Sequence, residues 1–356
     1  MSEKIRVLIV DDSAIARDLL EKGLSRNPDI EIVGKASDAY SARDRIVLLK
    51  PDVLTLDVEM PKMDGIEFLK RLLPQYPIPV IVVSAVTTEG SHRALEALAA
   101  GAVAVVGKPQ ANDREGLTTM LDELGEAVVE ASRVQIHTPT NPPRRHFRPR
   151  ARPGGAMQGD RLVAIGASTG GTAALNSVIP ALPADFPPTL IVQHMPPVFT
   201  RMFAEALGRA SQMRVREAQE GDSLERGLVL VAPGDMHLSV MKDGGLNRIR
   251  LDRGEKVSGH RPSVDVLFSS VAKTYGSRAV GVLMTGMGRD GADGLLDMRR
   301  AGARCIAQDE ESSVVFGMPK EAWKNGAAET LVGLEGIPET LNALLHEAIQ
   351  EVQWRR

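Results

Sequence analysis

One run of ten residues contains an apolar strand and the tight turn that follows it: Leu162-Val163-Ala164-Ile165-Gly166-Ala167-Ser168-Thr169-Gly170-Gly171. Residues 166–170 of this run fit the pattern G-x-S-x-G, and a helical stretch follows over residues 172–179. A serine on such a turn projects its hydroxyl outward, and the glycines keep side chains from crowding the backbone. The following helix points backbone N–H groups at the same spot, where an oxyanion would develop. The run therefore predicts a nucleophilic serine, Ser168.

Glycine-rich strand–helix turns also bind phosphates, so a dinucleotide site is the competing interpretation. That interpretation requires an acidic residue about 20 positions further on, at the end of the next strand. The next strand covers residues 189–193, and His194 follows it. Histidine does not accept ribose hydroxyl groups as a carboxylate does, but it is a common general base for serine. His194 therefore favours a hydrolase over a nicotinamide-dependent oxidoreductase.

A third group is needed to orient the imidazole, and it should follow a neighbouring strand. The apolar strand over residues 279–284 runs into a glycine-rich turn, and Asp290 lies between that turn and a predicted helix over 292–300. Asp290 could instead only cap that helix. The flexible glycines of the turn favour a shaped site. Along the chain the three residues come in the order Ser168, His194, Asp290. In most α/β-hydrolases the order is serine, aspartate, histidine, so we expect a different fold.

The oxyanion donors and the remaining histidines are less well defined by the sequence. Backbone N–H groups near Thr169 and Met287 are the candidate oxyanion donors. His237 and His260 follow turns and could line the cleft, but neither follows an apolar strand as directly as the candidate base. The other histidines lie on polar helices or in a polar linker, where we expect them to be solvated: His92, His137, His146 and His346.

Residues 6–128 alternate apolar strands with amphipathic helices five times. Near-continuous runs of Val, Ile and Leu indicate parallel strands that are buried on both faces. The helices between them indicate right-handed βαβ units. This half is therefore predicted to be a flavodoxin-like, five-stranded parallel α/β domain. Its strands are predicted at residues 6–10, 31–35, 52–56, 79–83 and 102–106.

Acidic residues follow two of these strands. Asp11 and Asp12 come after the first strand and Asp57 comes after the third, and these two strands flank the switch point of such a sheet. Three converging carboxylates repel each other unless a cation neutralises them, and an all-oxygen site suits Mg²⁺. Ser84 ends the fourth strand and Lys108 ends the fifth. The set fits phosphoryl transfer to Asp57. A solvated acidic rim explains any one of these residues but not the whole set.

The N-terminal motifs resemble those of two-component receiver domains. The resemblance implies that Asp57 is the phosphoacceptor and that Asp12, Asp57 and the backbone carbonyl of Glu59 hold Mg²⁺. It also implies that Ser84 and Lys108 sense the phosphoryl group. The motifs that carry it are Val10-Asp11-Asp12-Ser13, Leu56-Asp57-Val58-Glu59-Met60-Pro61-Lys62-Met63-Asp64-Gly65, Ser84-Ala85 and Lys108-Pro109.

The receiver resemblance implies a histidine kinase as the phosphodonor. The sequence departs from the receiver pattern at one position. Receivers often carry an aromatic residue three positions before the lysine, and Val105 stands there. The resemblance therefore does not extend to an aromatic rotamer switch.

The C-terminal motifs resemble chemotaxis-type protein-glutamate methylesterases over nearly all of residues 160–350. The resemblance implies Ser168, His194 and Asp290 as catalytic residues, with no cofactor for the ester hydrolysis. Family members hydrolyse glutamate methyl esters on the cytoplasmic domains of chemoreceptors, which releases methanol during sensory adaptation, and many also deamidate glutamines. The motifs are Gly166-Ala167-Ser168-Thr169-Gly170-Gly171, Gln193-His194-Met195-Pro196, Ala232-Pro233-Gly234-Asp235, Arg261-Pro262-Ser263-Val264-Asp265, Thr285-Gly286-Met287-Gly288-Arg289-Asp290-Gly291 and Val315-Phe316-Gly317-Met318-Pro319.

The length of 356 residues predicts two domains. We expect a receiver over 1–130, a linker over 131–159 and a catalytic domain over 160–356. The catalytic domain should be a doubly wound, mostly parallel α/β domain, and the glycine and charge of residues 220–260 predict a β-hairpin beside its sheet. The linker is predicted to be semi-extended because it contains five prolines and six arginines: Pro139, Pro142, Pro143, Pro149, Pro153, Arg133, Arg144, Arg145, Arg148, Arg150 and Arg152.

The composition argues against several classes of protein. A net charge of −3 and the lack of a helix-turn-helix pattern disfavour nucleic-acid binding, and with it a DNA-binding response regulator. One cysteine, Cys305, excludes an intrachain disulfide and fits the cytoplasm, and we expect it in the core. No apolar run approaches the roughly 20 residues of a membrane span, and the N-terminus has no signal-peptide pattern, so membrane insertion is not expected. The remaining alternative is a receiver-controlled binding protein with an inactive hydrolase-like module.

Overall fold

The computed structural model describes residues 4–60, 63–85, 87–109, 113–133 and 161–353. These residues form two compact units, which fall on either side of Pro142. Residues 134–160, which include most of the predicted linker, lie outside the described residues, and so do His137 and His146. Each unit is described by itself.

The N-terminal unit alternates strands and helices, and its five-stranded sheet has the order β2-β1-β3-β4-β5. All of its strand pairs are parallel. The predicted flavodoxin-like fold is therefore confirmed. The elements are β1 (Ile5–Val10), α1 (Ala14–Leu24), β2 (Ile30–Ala36), α2 (Ala39–Leu49), β3 (Val53–Leu56), α3 (Gly65–Leu72), β4 (Val80–Ala85), α4 (Thr88–Ala99), β5 (Ala104–Lys108) and α5 (Arg114–Ala131).

The central strands of this sheet are apolar because helices cover both faces. Every residue of β3 is buried, and Val7 to Val10 of β1 are at most 1% exposed. The two strands are direct neighbours, with Val10 opposite Leu56 in the parallel register. The residues that follow them, Asp11 and Asp57, are therefore brought to the same edge of the sheet.

The C-terminal unit contains a seven-stranded sheet and a separate two-stranded hairpin. The elements are β6 (Leu162–Ala167), α6 (Gly171–Val178), β7 (Thr189–Gln193), α7 (Phe199–Ala210), β8 (Arg214–Glu217), β9 (Leu228–Val231), β10 (His237–Asp243), β11 (Leu246–Asp252), α8 (Val264–Tyr275), β12 (Ala279–Leu283), α9 (Ala292–Arg300), β13 (Arg304–Gln308), α10 (Met318–Lys324), β14 (Thr330–Val332) and α11 (Ile337–Gln353). Short 3₁₀ turns follow α6 and α8 and precede α11.

The seven-stranded sheet has the order β14-β13-β12-β6-β7-β9-β8, and every strand pair in it is parallel. The hairpin β10–β11 is antiparallel and stands apart from the sheet, as the glycine-rich sequence predicts. Strands β7, β9 and β8 lie on one side of β6, and the later strands β12, β13 and β14 lie on the other side. The switch point therefore lies between β6 and β12, and ligands of open α/β sheets bind at such a point.

Helix α8 packs unusually close to the central strand of this sheet. All six residues of β6 are buried, and a Cβ atom at Gly166 would lie 2.2 Å from Cγ1 of Val264, the first residue of α8. The glycine therefore lets the start of α8 approach the end of β6. This approach brings the N-terminus of α8 to the edge of the sheet where Ser168 lies.

The core of the C-terminal unit is filled by aliphatic residues and four fully buried phenylalanines: Phe186, Phe199, Phe203 and Phe268. Cys305 lies on β13 and is buried, as predicted, and burial raises the pKa of its thiol to about 12. Among the described residues, none of the helices has both the length and the apolar character that crossing a bilayer requires.

Candidate active site

Ser168 follows β6 on a tight turn. Gly170 adopts a left-handed conformation with φ of +78° and begins α6, and the carbonyl of Ser168 accepts a hydrogen bond from the amide of Gly171 at 2.7 Å. The amide of Ser168 donates to the carbonyl of Thr285 at 3.0 Å. This hydrogen bond joins the turn to the loop after β12. The hydroxyl of Ser168 faces the edge of the sheet where the strands have their carboxyl ends.

The side chains of Ser168, His194 and Asp290 form one chain of hydrogen bonds. Nδ1 of His194 lies 3.1 Å from Oγ of Ser168, and Nε2 lies 2.8 Å from Oδ2 of Asp290. Because an ionised carboxylate only accepts hydrogen bonds, Nε2 carries the proton and Nδ1 is free to accept one from the serine hydroxyl. The three residues that the sequence singles out therefore lie in the arrangement of a nucleophile, a base and an orienting acid.

Asp290 is fully buried and accepts four hydrogen bonds. Besides the His194 ring, the donors are the hydroxyl of Ser263 at 2.7 Å, the amide of Val264 at 2.7 Å and the amide of Asp265 at 3.1 Å. Burial alone raises the pKa of Asp290, but these donors outweigh it and lower the pKa to about 2. Asp290 is therefore ionised at neutral pH.

The same donors decide which helix Asp290 caps. The amides of Val264 and Asp265 open the first turn of α8, so Asp290 caps α8 from a distant part of the chain. The helix that follows Asp290 in sequence, α9, has Gly291 as its N-cap residue, and no side chain of the residues directly before the helix caps it. The alternative that Asp290 only caps the helix directly after it is therefore wrong.

The loops that hold Thr169 and Met287 are packed against each other beside the nucleophile. The hydroxyl of Thr285 donates to the carbonyl of Thr169 at 2.9 Å. A Cβ atom at Gly286 would lie 2.7 Å from Cβ of Ser168, so a glycine is required for this contact. The two candidate oxyanion donors thus lie on segments that are packed against each other next to Ser168.

The described histidines outside this chain of hydrogen bonds differ in their surroundings. His237 is buried, and its Nδ1 accepts the amide of Ser263 at 3.2 Å while its Nε2 donates to a backbone carbonyl. His260 stacks on His194 with ring centroids 3.8 Å apart. His92 and His346 are exposed, as expected. His260 therefore contacts the candidate base directly, and His237 supports the start of α8.

The carboxylates of the N-terminal unit form a separate cluster. Candidate ligand oxygens of Asp11, Asp12 and Asp57 all lie within 4.8 Å of one another. Nζ of Lys108 donates to Asp11 at 2.9 Å and to Asp57 at 2.5 Å, and the amide of Glu59 donates to Asp57 at 3.0 Å. An oxygen-only donor set of this kind fits a hard divalent cation. The described residues therefore offer a metal site at the predicted edge of the sheet.

Lys108 and Ser84 occupy different positions relative to this cluster. Burial lowers the pKa of Lys108, but the carboxylates of Asp57 and Asp11 outweigh it and raise the pKa above its ordinary value, so the ammonium ion persists at neutral pH. The buried hydroxyl of Ser84 donates to the carbonyl of Gly90 in α4 at 3.0 Å. Ser84 is therefore bonded to α4 and not to the carboxylates.

Two family models match the chain. The model described as CheB methylesterase matches residues 163–341, and the model described as response regulator receiver domain matches residues 7–122. The chain belongs to the CheB methylesterase family. The methylesterase match covers the turn of Ser168 and the residues that contact it, and the receiver match covers the carboxylate cluster.

Relatives from several bacteria match almost the full length of the chain. A protein-glutamate methylesterase/protein-glutamine glutaminase of Syntrophotalea carbinolica is 50% identical over 98% of this chain and 99% of its own length. Protein-glutamate methylesterase/protein-glutamine glutaminase 1 of Caulobacter vibrioides is 50% identical over 95% of this chain and 97% of its own length. Both units of the chain are therefore present in these relatives.

A solved structure supports the fold of the C-terminal unit. The crystal structure of the Thermotoga maritima CheB methylesterase catalytic domain is 39% identical to this chain, with a TM-score of 0.51. It covers 53% of this chain and 99% of that chain. The C-terminal unit therefore has the fold of a CheB catalytic domain.

Sequence reasoning missed three residues that contact the site. Ser263 donates to Asp290, and Gln193 donates from Nε2 to the carbonyls of Ser168 at 2.9 Å and His194 at 3.1 Å. His260, considered only as a possible lining residue, stacks on the candidate base. The position of Gln193 as the last residue of β7 was the available signal, because its side chain can reach the turn that follows the neighbouring strand β6.

Proposed function

We propose that this protein hydrolyses glutamate methyl esters on chemoreceptors, with release of methanol, and that phosphorylation of its receiver domain increases this activity. We extend the proposal to deamidation of receptor glutamines, the second activity in the names of its relatives. The hydrogen-bonded chain from Ser168 through His194 to Asp290 carries the proposal, because it can activate a serine hydroxyl for acyl transfer.

In the first half of the reaction, Nδ1 of His194 removes the proton from Oγ of Ser168 as Oγ attacks the carbonyl carbon of the glutamate side-chain ester. The oxyanion forms between the segments of Thr169 and Met287, and their backbone amides donate to it. Each such donor contributes about 3 kcal/mol to transition-state stabilisation. The carbon–oxygen bond to the methoxy group then breaks, and methanol leaves with the proton that His194 holds.

In the second half, His194 removes a proton from water, and the resulting hydroxide attacks the glutamyl ester of Ser168. The bond to Oγ breaks, His194 returns its proton to the serine, and the receptor leaves with the side chain of its glutamate residue as a free carboxylate. A glutamine substrate follows the same route, except that ammonia replaces methanol as the leaving group. Asp290 stabilises the imidazolium ion and keeps Nε2 protonated throughout.

The receiver supplies control by phosphorylation. We propose Asp57 as the phosphoacceptor and a histidine kinase as the phosphodonor. Asp11, Asp12, Asp57 and the backbone carbonyl of Glu59 would hold Mg²⁺, which neutralises phosphoryl oxygens when it is bound. The ammonium of Lys108 already contacts two of these carboxylates.

Ser84 completes the proposed phosphoryl-sensing pair with Lys108. Its hydroxyl must leave the carbonyl of Gly90 in order to reach a phosphoryl oxygen, and that change would alter the start of α4. Phosphorylation would thereby be converted into a change in a surface helix of the receiver. We place the protein in the cytoplasm, where both the kinase and the methylated part of a chemoreceptor are found.

The test is methanol release from methylated receptor membranes, with and without a small phosphodonor and Mg²⁺. Ser168→Ala should abolish release, because it removes the nucleophile. Ser177→Ala, at an exposed position on α6, is the matched control and should leave release unchanged. Near-native release by Ser168→Ala would overturn the assignment of the nucleophile. No release by the unmutated protein in either condition would favour the binding-protein alternative.

A further inference from the structure

The rings of His194 and His260 are stacked nearly parallel. Their centroids lie 3.8 Å apart and their planes differ by 14°. His260 comes from a loop before α8, whereas His194 follows β7, so the contact joins two distant parts of the chain. The mechanism described above assigns no role to this second ring.

A tight turn holds His260 in place. The amide of Val257 donates to the carbonyl of His260, and the amide of His260 donates back to the carbonyl of Val257. The two residues between them, Ser258 and Gly259, have φ values of +53° and +83°. A non-glycine residue adopts such a conformation only where its surroundings enforce it. Here the hydroxyl of Ser258 is bonded to Asp265 on α8 at 3.2 Å.

The His194 ring needs more than its two hydrogen bonds to be fixed. Ser168 and Asp290 contact its two nitrogens, so they define a line through the ring. Rotation of the ring about that line bends both hydrogen bonds, because each is straight only when its partner atom lies in the plane of the ring. A flat ring stacked on one face removes this rotation. It also excludes water from that face of the base.

We propose that His260 is a positioning residue, whose ring holds the plane of the His194 imidazole and stabilises the imidazolium ion that forms during catalysis. The catalytic part of this inference rests on the proposed function. The face of a neutral aromatic ring attracts a cation, so the stack becomes stronger as the base takes up its proton. His260 contributes through its face and does not transfer a proton.

The charge state of His260 agrees with this role. Burial, together with the neighbouring His194, lowers the pKa of His260 to about 4. Asp290 opposes this shift and Lys256 adds to it. His260 is therefore neutral over the physiological range, and it does not repel a protonated His194.

The experiment compares His260→Phe with His260→Ala in the full-length protein. Imidazole ¹⁵N chemical shifts report the protonation of each nitrogen of His194, and methanol release reports kcat and KM. His346→Ala, which changes an exposed histidine of the same unit, is the matched control. Thermal unfolding of each variant checks that it is folded.

We expect His260→Phe to keep the ¹⁵N pattern of a single Nε2–H tautomer and to retain kcat within about threefold, because the flat ring remains. His260→Ala should average the two nitrogen shifts of His194 and lower kcat by roughly 10- to 100-fold with little change in KM. Native shifts and a native kcat in His260→Ala would overturn the proposal. Equal loss in both variants would also overturn it, because the imidazole nitrogens and not the ring face would then matter.

The two readouts separate this inference from the proposed function. If the unmutated protein releases no methanol, the proposed function fails, but the nitrogen shifts still show whether His260 fixes the ring of His194. If methanol release depends on Ser168 and His260→Ala leaves the shifts unchanged, only the inference about His260 fails.

Discussion

Two carboxylates that lie next to each other near the start of α8, those of Asp290 and Asp265, have pKa values shifted in opposite directions. Asp290 has a lowered pKa because of its four donors. Among the described residues, the carboxylate of Asp265 accepts hydrogen bonds from the amide of Gly294 at 2.7 Å and the hydroxyl of Ser258 at 3.2 Å. Burial raises the pKa of Asp265 to about 6; the Gly294 amide opposes the shift and the charge of Asp290 adds to it. At Asp290, the hydrogen bonds and the charge of His194 outweigh burial, whereas at Asp265 burial outweighs the two donors, so Asp290 ionises at the lower pH.

The raised pKa of Asp265 predicts a pH-dependent loss of stability. Between pH 4 and pH 6, the folded state keeps a proton that the unfolded state has already lost, so the free energy of unfolding falls as the pH rises through this window. Asp265→Asn has no such proton to lose. We expect it to flatten the dependence and to be more stable than the unmutated protein at pH 7, by about 1 kcal/mol after solvent screening.

Urea unfolding at pH 4, 5, 6 and 7 measures this effect. Asp243→Asn is the matched control, because it makes the same change of charge at an exposed turn of the β10–β11 hairpin. The control should keep the pH dependence of the unmutated protein. An Asp265→Asn variant whose stability changes with pH as steeply as that of the control would contradict the prediction.

At the scale of elements, α8 and α9 cap each other. Asp290, which precedes α9, accepts the first two amides of α8. Asp265, in the first turn of α8, accepts the amide of Gly294 in the first turn of α9. The first amides of each helix therefore donate to a carboxylate that lies outside that helix. The packing of this helix pair thus determines where Asp290 meets His194.

This packing depends on a glycine. A Cβ atom at Gly294 would lie 2.8 Å from the backbone oxygen of Asp265 and 2.8 Å from Cβ of Phe268. We expect Gly294→Ala to push α9 away from α8, which should lower the free energy of unfolding by about 1–3 kcal/mol and reduce kcat by moving Asp290 from His194. Chemical unfolding and methanol release measure the two effects.

The control for this substitution is Gly125→Ala in α5, where a Cβ atom would meet nothing within 4 Å. It should increase stability by about 0.5–1 kcal/mol, because alanine is the better helix former. If both substitutions stabilised the protein to the same extent, the close approach of α8 and α9 would have no energetic significance.

At the scale of the whole molecule, the two units divide the chemistry. The N-terminal unit holds the cluster of Asp11, Asp12 and Asp57, which could bind a metal ion, and the C-terminal unit holds the hydrogen-bonded pair of Ser168 and His194. Within the described residues, these two sets of side chains have no member in common. Control of one by the other must therefore be a coupling free energy between two distinct sites.

Because the two sites share no residue, we expect Asp57→Asn to remove the response to phosphorylation without changing the basal ester hydrolysis. The variant should keep the basal release of methanol, because the Ser168 site is unchanged, and it should lose the stimulation by phosphodonor, which we expect to be roughly tenfold in the unmutated protein. Asp44→Asn, at an exposed position on α2, is the control and should keep the stimulation. Stimulation of Asp57→Asn would show that another residue accepts the phosphoryl group.

The sequence by itself determined the architecture and the principal candidates at both sites. Continuous apolar runs indicate parallel strands, and parallel strands bring the residues at their carboxyl ends to one edge. Residues that directly follow neighbouring strands of one sheet can therefore be placed near one another from the sequence, as with Ser168 and His194 in the C-terminal unit and Asp11 and Asp57 in the N-terminal unit. This information is local, because each of these positions follows from the strand that precedes it.

Only the tertiary structure decided how these residues meet. His194 and Asp290 are 96 residues apart, and which ring nitrogen faces which partner depends on how β7 and the loop after β12 are placed. The capping of α8 by Asp290 and the stacking of His260 depend on the same packing. The physical reason is that hydrophobic periodicity specifies which face of an element is buried, whereas contacts between elements depend on how closely and at what angle they cross.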